Sequence, residues 1–149
     1  MLICYRKGSA NSSEGHFHTK TELTAAVISL KLSHAIRDEL HLAVNKSVYW
    51  TDSTSALKCI HNQTKRFHTF ESNRLTIIHD GSTPQEWRYV NRDANPADDG
   101  SKGLKLGTLI KNDSWLIGPE LLWEDEAQWP KMIDIPRVKD DDPEIRKES

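Results

Sequence analysis

Hydrophobic and polar positions divide most sharply at residues 48–57, which read VYWTDSTSAL. Residues 48–50 are bulky and β-prone, so they predict a short buried strand. Ser53 then offers a hydroxyl N-cap for a helix over residues 53–61. This pattern puts Asp52 at the carboxyl end of a strand, where open α/β sheets bind their ligands. Considered alone, Asp52 is more simply explained as a helix cap.

The longest amphipathic stretch predicts a helix that begins at Thr19 or Thr21 and runs to about Leu42, after a polar loop over residues 7–18. Its apolar residues form two rows, which are Leu23, Val27 and Leu30, and Ile28, Leu32, Ile36 and Leu40. Together the rows make a stripe too wide for a freely exposed helix, so we expect it to pack on a sheet. Glu22 falls in the predicted first turn, where the helix dipole alone favours an acid.

The segments on either side of this helix predict strands at residues 2–6 (LICYR) and 47–50. A strand, a crossover helix and a second strand make a βαβ unit, which should be right-handed. A third helical stretch is predicted over residues 70–79, and the alternating residues 86–90 (EWRYV) predict another strand. The expected fold class is therefore α/β.

A further helix start is predicted just after the strand at residues 86–90. Asn95 can cap a helix whose first position is Pro96. Asp98 and Asp99 would then lie in its first turn, beside the end of that strand. Stabilisation by the helix dipole is again the simplest reading of these two acids on their own.

The chain is expected to divide into three parts. Residues 1–104 would form the α/β domain, and residues 105–133 an irregular arm packed on its core. Residues 134–149 are rich in charge and contain two prolines, which predicts a disordered tail.

Composition indicates which partners and which cellular compartment to expect for this domain. The chain has 149 residues and a net charge of −2, so any contact with nucleic acid must use a local patch rather than a global field. Cys4 and Cys59 lack metal-type spacing and fit a reduced compartment. With no targeting signal and no apolar stretch long enough for a membrane span, we expect an intracellular, cytoplasmic location and no membrane partner.

A local patch of this kind follows the second predicted helix. Lys65 and Arg66 lie among aromatic residues, of which Phe67 is the nearest, and Arg74 follows in the third helix. Cations interleaved with aromatics suit contact with a nucleic-acid backbone and its bases. A solvated loop anchored to the core by its phenylalanines explains the same residues.

The three acids Glu22, Asp52 and Asp98 indicate a shared site when they are considered together. The two aspartates follow strands that should end at one sheet edge. Clustered carboxylates repel one another unless cations neutralise them. Mg²⁺ prefers oxygen ligands, and two such ions can clamp a phosphodiester during hydrolysis. The order Glu, Asp, Asp along strand–helix units therefore suggests a two-metal nuclease.

Five sequence motifs resemble those of a known protein family and occur in the same order. They are TELTAA (21–26), WTDST (50–54), FHTFESNR (67–74), EWRYV (86–90) and NPADDGSKG (95–103). They resemble the ribonuclease H-like region that follows reverse transcriptase in BEL/Pao-type LTR retrotransposon polyproteins. DSWLIGPE (113–120) and QWP (128–130) resemble the segment leading toward the integrase. The resemblance covers roughly residues 2–130.

The resemblance implies a catalytic site in which Glu22, Asp52 and Asp98 match three of the four metal-binding carboxylates. Its implied cofactor is Mg²⁺ in a two-metal site, and its implied substrate is RNA within an RNA–DNA hybrid. Asp99 stands where the family usually has an apolar residue. The family's first acid, an Asp on the first strand, has no counterpart here, so we expect weak or absent Mg²⁺ binding and a chain that is inactive alone.

The expected fold is thus a partial ribonuclease H-like fold, a mixed sheet flanked by helices, truncated at its N-terminus and lacking the family's first two strands. Residues 2–6 should then pair directly with residues 47–50 in a three-stranded remnant. The alternative function is a non-catalytic nucleic-acid-binding or linker module. The implied partners are the reverse transcriptase and integrase parts of the polyprotein.

Overall fold

The chain folds as an α/β structure with a three-stranded sheet and three α-helices in the part that can be described. The computed structural model describes residues 2–3, 12–41, 43–95, 107, 117–139 and 141–146. Its strands are β1 (Leu2–Ile3), β2 (Tyr49–Thr51) and β3 (Trp87–Tyr89). Its α-helices are α1 (Ser12–Leu40), α2 (Thr54–His61) and α3 (Thr69–Gly81).

The sheet has the order β1-β2-β3, and both pairings are parallel. Leu2 is in register with Trp50, which confirms the predicted direct pairing of the first strand with the strand before Asp52. The expected mixed sheet is not found among these described strands. Helices connect each strand to the next and return the chain to the same end of the sheet, so the three strands run in one direction.

Helix α1 is longer at its start than predicted. It begins at Ser12, so the second half of the predicted loop at residues 7–18 is helical. Gly15 is the one residue in that half with a large helix penalty, of about 1 kcal/mol, and a helix anchored further along tolerates it. Glu22 therefore lies about three turns inside α1 rather than in its first turn. Among the described helices, none combines the length and apolar character needed to cross a membrane.

The core lies between the sheet and the three helices. Tyr49 and Trp87 are register partners on adjacent strands, and their rings stack with centroids 4.6 Å apart. Apolar side chains from the three helices close over them, namely Leu23, Val27 and Leu30 of α1, Leu57 and Ile60 of α2, and Leu75 and Ile78 of α3. The second apolar row of α1, which begins at Ile28, stays exposed. The prediction that both rows pack on the sheet is therefore wrong for this second row.

Residues 117–139 include an arm that covers the sheet beside Trp50. Trp129 meets the Trp50 ring edge-on, with centroids 5.4 Å apart, and the Arg88 guanidinium lies over both rings. Glu126 of the arm forms ion pairs with Lys46 and Arg88. The arm is thus held by aromatic contact and charge rather than by regular secondary structure.

Residues 141–146, which fall in the predicted disordered tail, are ordered against the helices. Ile145 is buried and forms an antiparallel bridge with Phe67. The Glu144 carboxylate accepts a hydrogen bond of 2.7 Å from the Thr19 hydroxyl of α1. Burial of Ile145 and the hydrogen bond to Glu144 both stabilise this segment on the helices. The high charge content of the tail did not indicate these contacts.

The stacked pair at the centre of the core should dominate its stability. We expect Trp87→Ala to lower the free energy of unfolding by about 3–5 kcal/mol, because the cavity would lie between β2 and the helices. Trp123 is 70% exposed, so Trp123→Ala should change it by about 0.5 kcal/mol or less. Urea unfolding of the two variants measures the difference. Equal losses of unfolding free energy in the two variants would contradict a core centred on the stacked Tyr49 and Trp87 rings.

Candidate active site

Strand β2 delivers Asp52 to the carboxyl end of the sheet, directly before helix α2. The α2 N-cap is Ser53, whose side-chain oxygen accepts a hydrogen bond of 3.2 Å from the Ala56 backbone N–H. The Ser53 N–H in turn donates to the Thr51 hydroxyl at 3.1 Å. Asp52 is therefore not the helix cap, and its half-buried side chain stands at the sheet edge.

Glu22 approaches this edge from helix α1. It is adjacent to Leu23 on the face of α1 that enters the core, and only 8% of Glu22 is exposed. Its Oε2 atom is buried and has no hydrogen-bond partner among the described residues. Burial raises the pKa of Glu22 to about 8, and the negative charge of Asp52 raises it further in the same direction. The two predicted site residues are thus close enough to interact electrostatically.

At neutral pH the Glu22 member of this pair is protonated. A carboxylate that lacks hydrogen bonds in a dry setting keeps its proton, because the charged form loses its hydration. Glu22 therefore keeps its proton up to about pH 8, whereas an exposed glutamate loses its proton near pH 4.5. Any cation that binds here must first displace that proton, which makes cation affinity rise with pH.

The third predicted acid, Asp98, lies outside the described residues, as does its neighbour Asp99. Within the described ranges, no cluster of three or more histidine, cysteine, aspartate or glutamate side chains is positioned to hold a metal ion. The geometry therefore brings together Glu22 and Asp52 and gives no position for Asp98.

Glu22 and Asp52 fit one divalent cation. Mg²⁺ in sites that process phosphates is commonly held by one or two carboxylates, with waters and substrate oxygens completing the shell. The buried Oε2 atom of Glu22 has no hydrogen-bond partner among the described residues and would be one oxygen ligand, and Asp52 would supply a second. Two carboxylates are too few to hold two metal ions by themselves.

The predicted nucleic-acid residues separate into two places. Lys65, Arg66 and Phe67 line an open cleft of about 570 Å³ between the α2–α3 connection and α3. Phe67 also packs against the core, as the alternative anchoring explanation of this loop requires. Lys65 is half-buried and Arg66 is exposed at the rim of the cleft.

Arg74, by contrast, is held on the side of α3 that faces α1. Its guanidinium lies 3.3 Å from the centre of the Phe70 ring. It donates hydrogen bonds to the Thr24 hydroxyl and to the Phe70 backbone oxygen, at 2.9 and 3.1 Å. These contacts bind α1 to α3, so the position of Arg74 is explained by packing.

Arg146 lines the same cleft as Lys65 and Arg66, and sequence reasoning missed it. Its backbone N–H donates to the Arg66 carbonyl at 2.9 Å, which continues the bridge between Phe67 and Ile145. No local signal marks Arg146, because its place depends on a pairing between distant parts of the chain. Arg146 therefore adds a third cationic side chain to Lys65 and Arg66 in this cleft.

The sequence matches no family model, no curated protein and no solved structure.

The protonated state of Glu22 should be visible in the pH dependence of stability. Between pH 4.5 and about 8 the unfolded chain ionises this acid while the folded chain keeps it protonated, so wild-type stability from this group falls as pH rises. The Glu22→Gln variant has no ionisable group at this position, so its stability does not fall with pH for this reason. The unfolding free energy of the variant minus that of wild type should therefore increase with pH across this window, by at most about 5 kcal/mol.

Urea unfolding at intervals from pH 5 to pH 9 provides the measurement. Glu39→Gln replaces an exposed acid on the same helix and is the matched control. A difference for Glu22→Gln that stays constant with pH would contradict a buried, protonated Glu22.

Proposed function

We propose that this chain is a fragment of a ribonuclease H-like domain of the BEL/Pao retrotransposon type, which binds RNA–DNA hybrids and is inactive or nearly inactive alone. The observation that carries the proposal is the placement of Glu22 beside Asp52 at the carboxyl edge of a parallel sheet. That arrangement matches two of the acids implied by the motif order. The parallel β1-β2-β3 sheet, with α1 as the first crossover, is compatible with it.

The proposed roles follow from the state of each acid. Asp52 would contribute an ionised oxygen at the open end of the sheet, and Glu22 would contribute a second oxygen once it has lost its proton. When bound, Mg²⁺ supplies the Lewis acidity for phosphodiester hydrolysis. Asp98 would complete the carboxylate set, as the resemblance implies. The 2′-hydroxyl distinguishes the RNA strand as the one to be cut.

Weak activity is expected because the coupled pair binds a cation poorly near neutral pH. The proton on Glu22 competes with Mg²⁺, and Mg²⁺ gives up its own hydration reluctantly. Two carboxylates without further ligands favour one loosely held ion over two. Hybrid binding does not depend on that ion.

The second candidate function is a non-catalytic nucleic-acid-binding or linker module between reverse transcriptase and integrase. Its supporting observation is the cationic cleft lined by Lys65, Arg66 and Arg146. Cations at the rim of a groove contact phosphates without regard to sequence. This candidate differs from the first in requiring no contribution from Glu22 or Asp52.

Binding of a fluorescently labelled RNA–DNA hybrid, followed by anisotropy at several salt concentrations, tests the shared part of both candidates. Removing two phosphate contacts with Lys65→Ala/Arg66→Ala should weaken binding and reduce the slope of log K against log salt by about 2. Lys131→Ala/Lys139→Ala removes two exposed cations elsewhere and should leave the slope unchanged. Equal affinity of the cleft variant and wild type would rule out this cleft as the binding surface.

The same hybrid incubated with Mg²⁺ separates the candidates. We expect at most slow cleavage that rises with pH, stops in Asp52→Asn and persists in Asp80→Asn, a substitution on the exposed face of α3. No cleavage with intact hybrid binding would support the non-catalytic module. Rapid cleavage that Asp52→Asn abolishes would overturn the proposal that the chain is inactive alone.

A further inference from the structure

Residues 141–146, which we call the strap, connect two helices to the loop that carries the cationic cleft. On the helix side, the Asp142 carboxylate forms an ion pair with Lys58 of α2. The Glu144 carboxylate accepts a buried hydrogen bond of 2.7 Å from the Thr19 hydroxyl of α1. The strap is therefore fixed to α1 and α2 by hydrogen bonding and charge, and a buried acid that kept no donor would weaken this docking.

On its other side, the strap pairs with the α2–α3 connection, residues 62–68. Ile145 is buried and bridges Phe67, which packs against the core. The His68 N–H donates a hydrogen bond of 3.1 Å to the Glu144 carbonyl. His68 is the N-cap of α3 and makes no side-chain cap hydrogen bond. The strap therefore holds the backbone at the point where α3 begins.

The strap also contributes directly to the cleft. Arg146 lines the cleft with Lys65 and Arg66, and its backbone N–H donates to the Arg66 carbonyl at 2.9 Å. The connection that carries Lys65 and Arg66 has no helix or strand of its own. Cationic side chains on such a loop lose conformational freedom when they bind a ligand, and a backbone that is already held loses less. The strap thus adds one cation and orders the backbone of another.

The charges of the strap are distributed in a way that suits a polyanion in the cleft. Two of its three acids, Asp142 and Glu144, are engaged by Lys58 and Thr19 on the helices. Its one cation, Arg146, is exposed in the cleft. Acids in the cleft would repel phosphates, whereas a cation there attracts them. Docking therefore keeps two negative charges occupied while it presents a positive one.

We propose that docking of the strap through Ile145 positions the cationic cleft for the phosphate backbone of a nucleic acid. Ile145 does not line the cleft, so it acts through Arg66 and Arg146 as a positioning residue. This role rests on the proposed function, in which nucleic acid binds in the cleft, and makes its affinity depend on the docked fraction of the strap. Because binding equilibria are linked, nucleic acid must strengthen docking by the same factor.

A double-mutant cycle on the affinity for a labelled RNA–DNA hybrid tests this coupling. Arg146→Ala should weaken binding about fivefold and reduce the salt slope by about 1, because it removes one phosphate contact. Ile145→Ala removes no charge, yet should weaken binding by at least about fivefold, because it releases the whole strap. In the Ile145→Ala background, Arg146→Ala should then add less than about twofold. Ile117→Ala removes an exposed side chain of the same type and should leave affinity unchanged.

Amide hydrogen exchange measures docking of the strap separately from affinity. In Ile145→Ala the amides of His68 and Arg146 should exchange about tenfold faster, whereas the amides of β3 should keep their protection because the sheet is intact. Saturating hybrid should slow exchange of both strap-linked amides in the wild-type chain. Thr19→Val removes the hydroxyl that donates to Glu144 and changes no residue of the strap or cleft, so it should act in the same direction as Ile145→Ala.

The outcomes separate the role of the strap from the proposed function. Additive losses in the cycle, or unchanged hybrid affinity when Ile145→Ala and Thr19→Val have loosened the strap, would overturn the positioning role. If Lys65→Ala/Arg66→Ala still weakened binding in that case, the proposed function would stand without the strap. A wild-type chain that binds no hybrid would overturn both.

Discussion

Parallel hydrogen bonding along both edges of β2 is the constraint on which the rest of the structure depends. With β1 on one side and β3 on the other, the short strand Tyr49–Thr51 has its backbone groups paired across the sheet. The parallel direction requires crossover connections, and α1 supplies the first of them. Because α1 must cross the sheet, its inner face brings Glu22 to the edge where β2 ends and Asp52 begins the turn into α2.

That geometry creates a pair of acids whose two members lie in different environments. Glu22 is buried beside core residues of α1, whereas Asp52 stands half-buried at the sheet edge. An apolar residue of similar size at position 22 would favour stability, since the buried Oε2 atom of Glu22 has no hydrogen-bond partner among the described residues and such burial costs free energy. Buried acids whose pKa is raised by burial and by a neighbouring charge cluster at functional sites. The cationic cleft lined by Arg146 is formed by a separate set of residues, from the α2–α3 connection and α3.

The strand, turn and helix around Asp52 could be predicted from sequence because each of their signals is local. Ser53 is a hydroxyl at a helix start, and the bulky residues before it are β-prone. The pairing of the first strand with β2 was expected because the resemblance implied that the family's first two strands are missing, which leaves residues 2–6 to pair directly with residues 47–50. The docking of the C-terminal residues could not be predicted, because Glu144 bonds to Thr19 across 125 positions. The early start of α1 was missed since polar residues with moderate helix propensity resemble a loop until tertiary contacts fix the helix.

The central claim is that Glu22 and Asp52 form one electrostatically coupled pair at the end of β2. Carbon-detected NMR titration of the Glu22 side-chain carboxyl group measures this directly, with Asp52→Asn as the comparison. Such a buried, coupled pair predicts a midpoint near pH 8 in the wild-type chain and a lower midpoint when the charge at position 52 is removed. A midpoint near 4.5, or one that Asp52→Asn leaves unchanged, would contradict it.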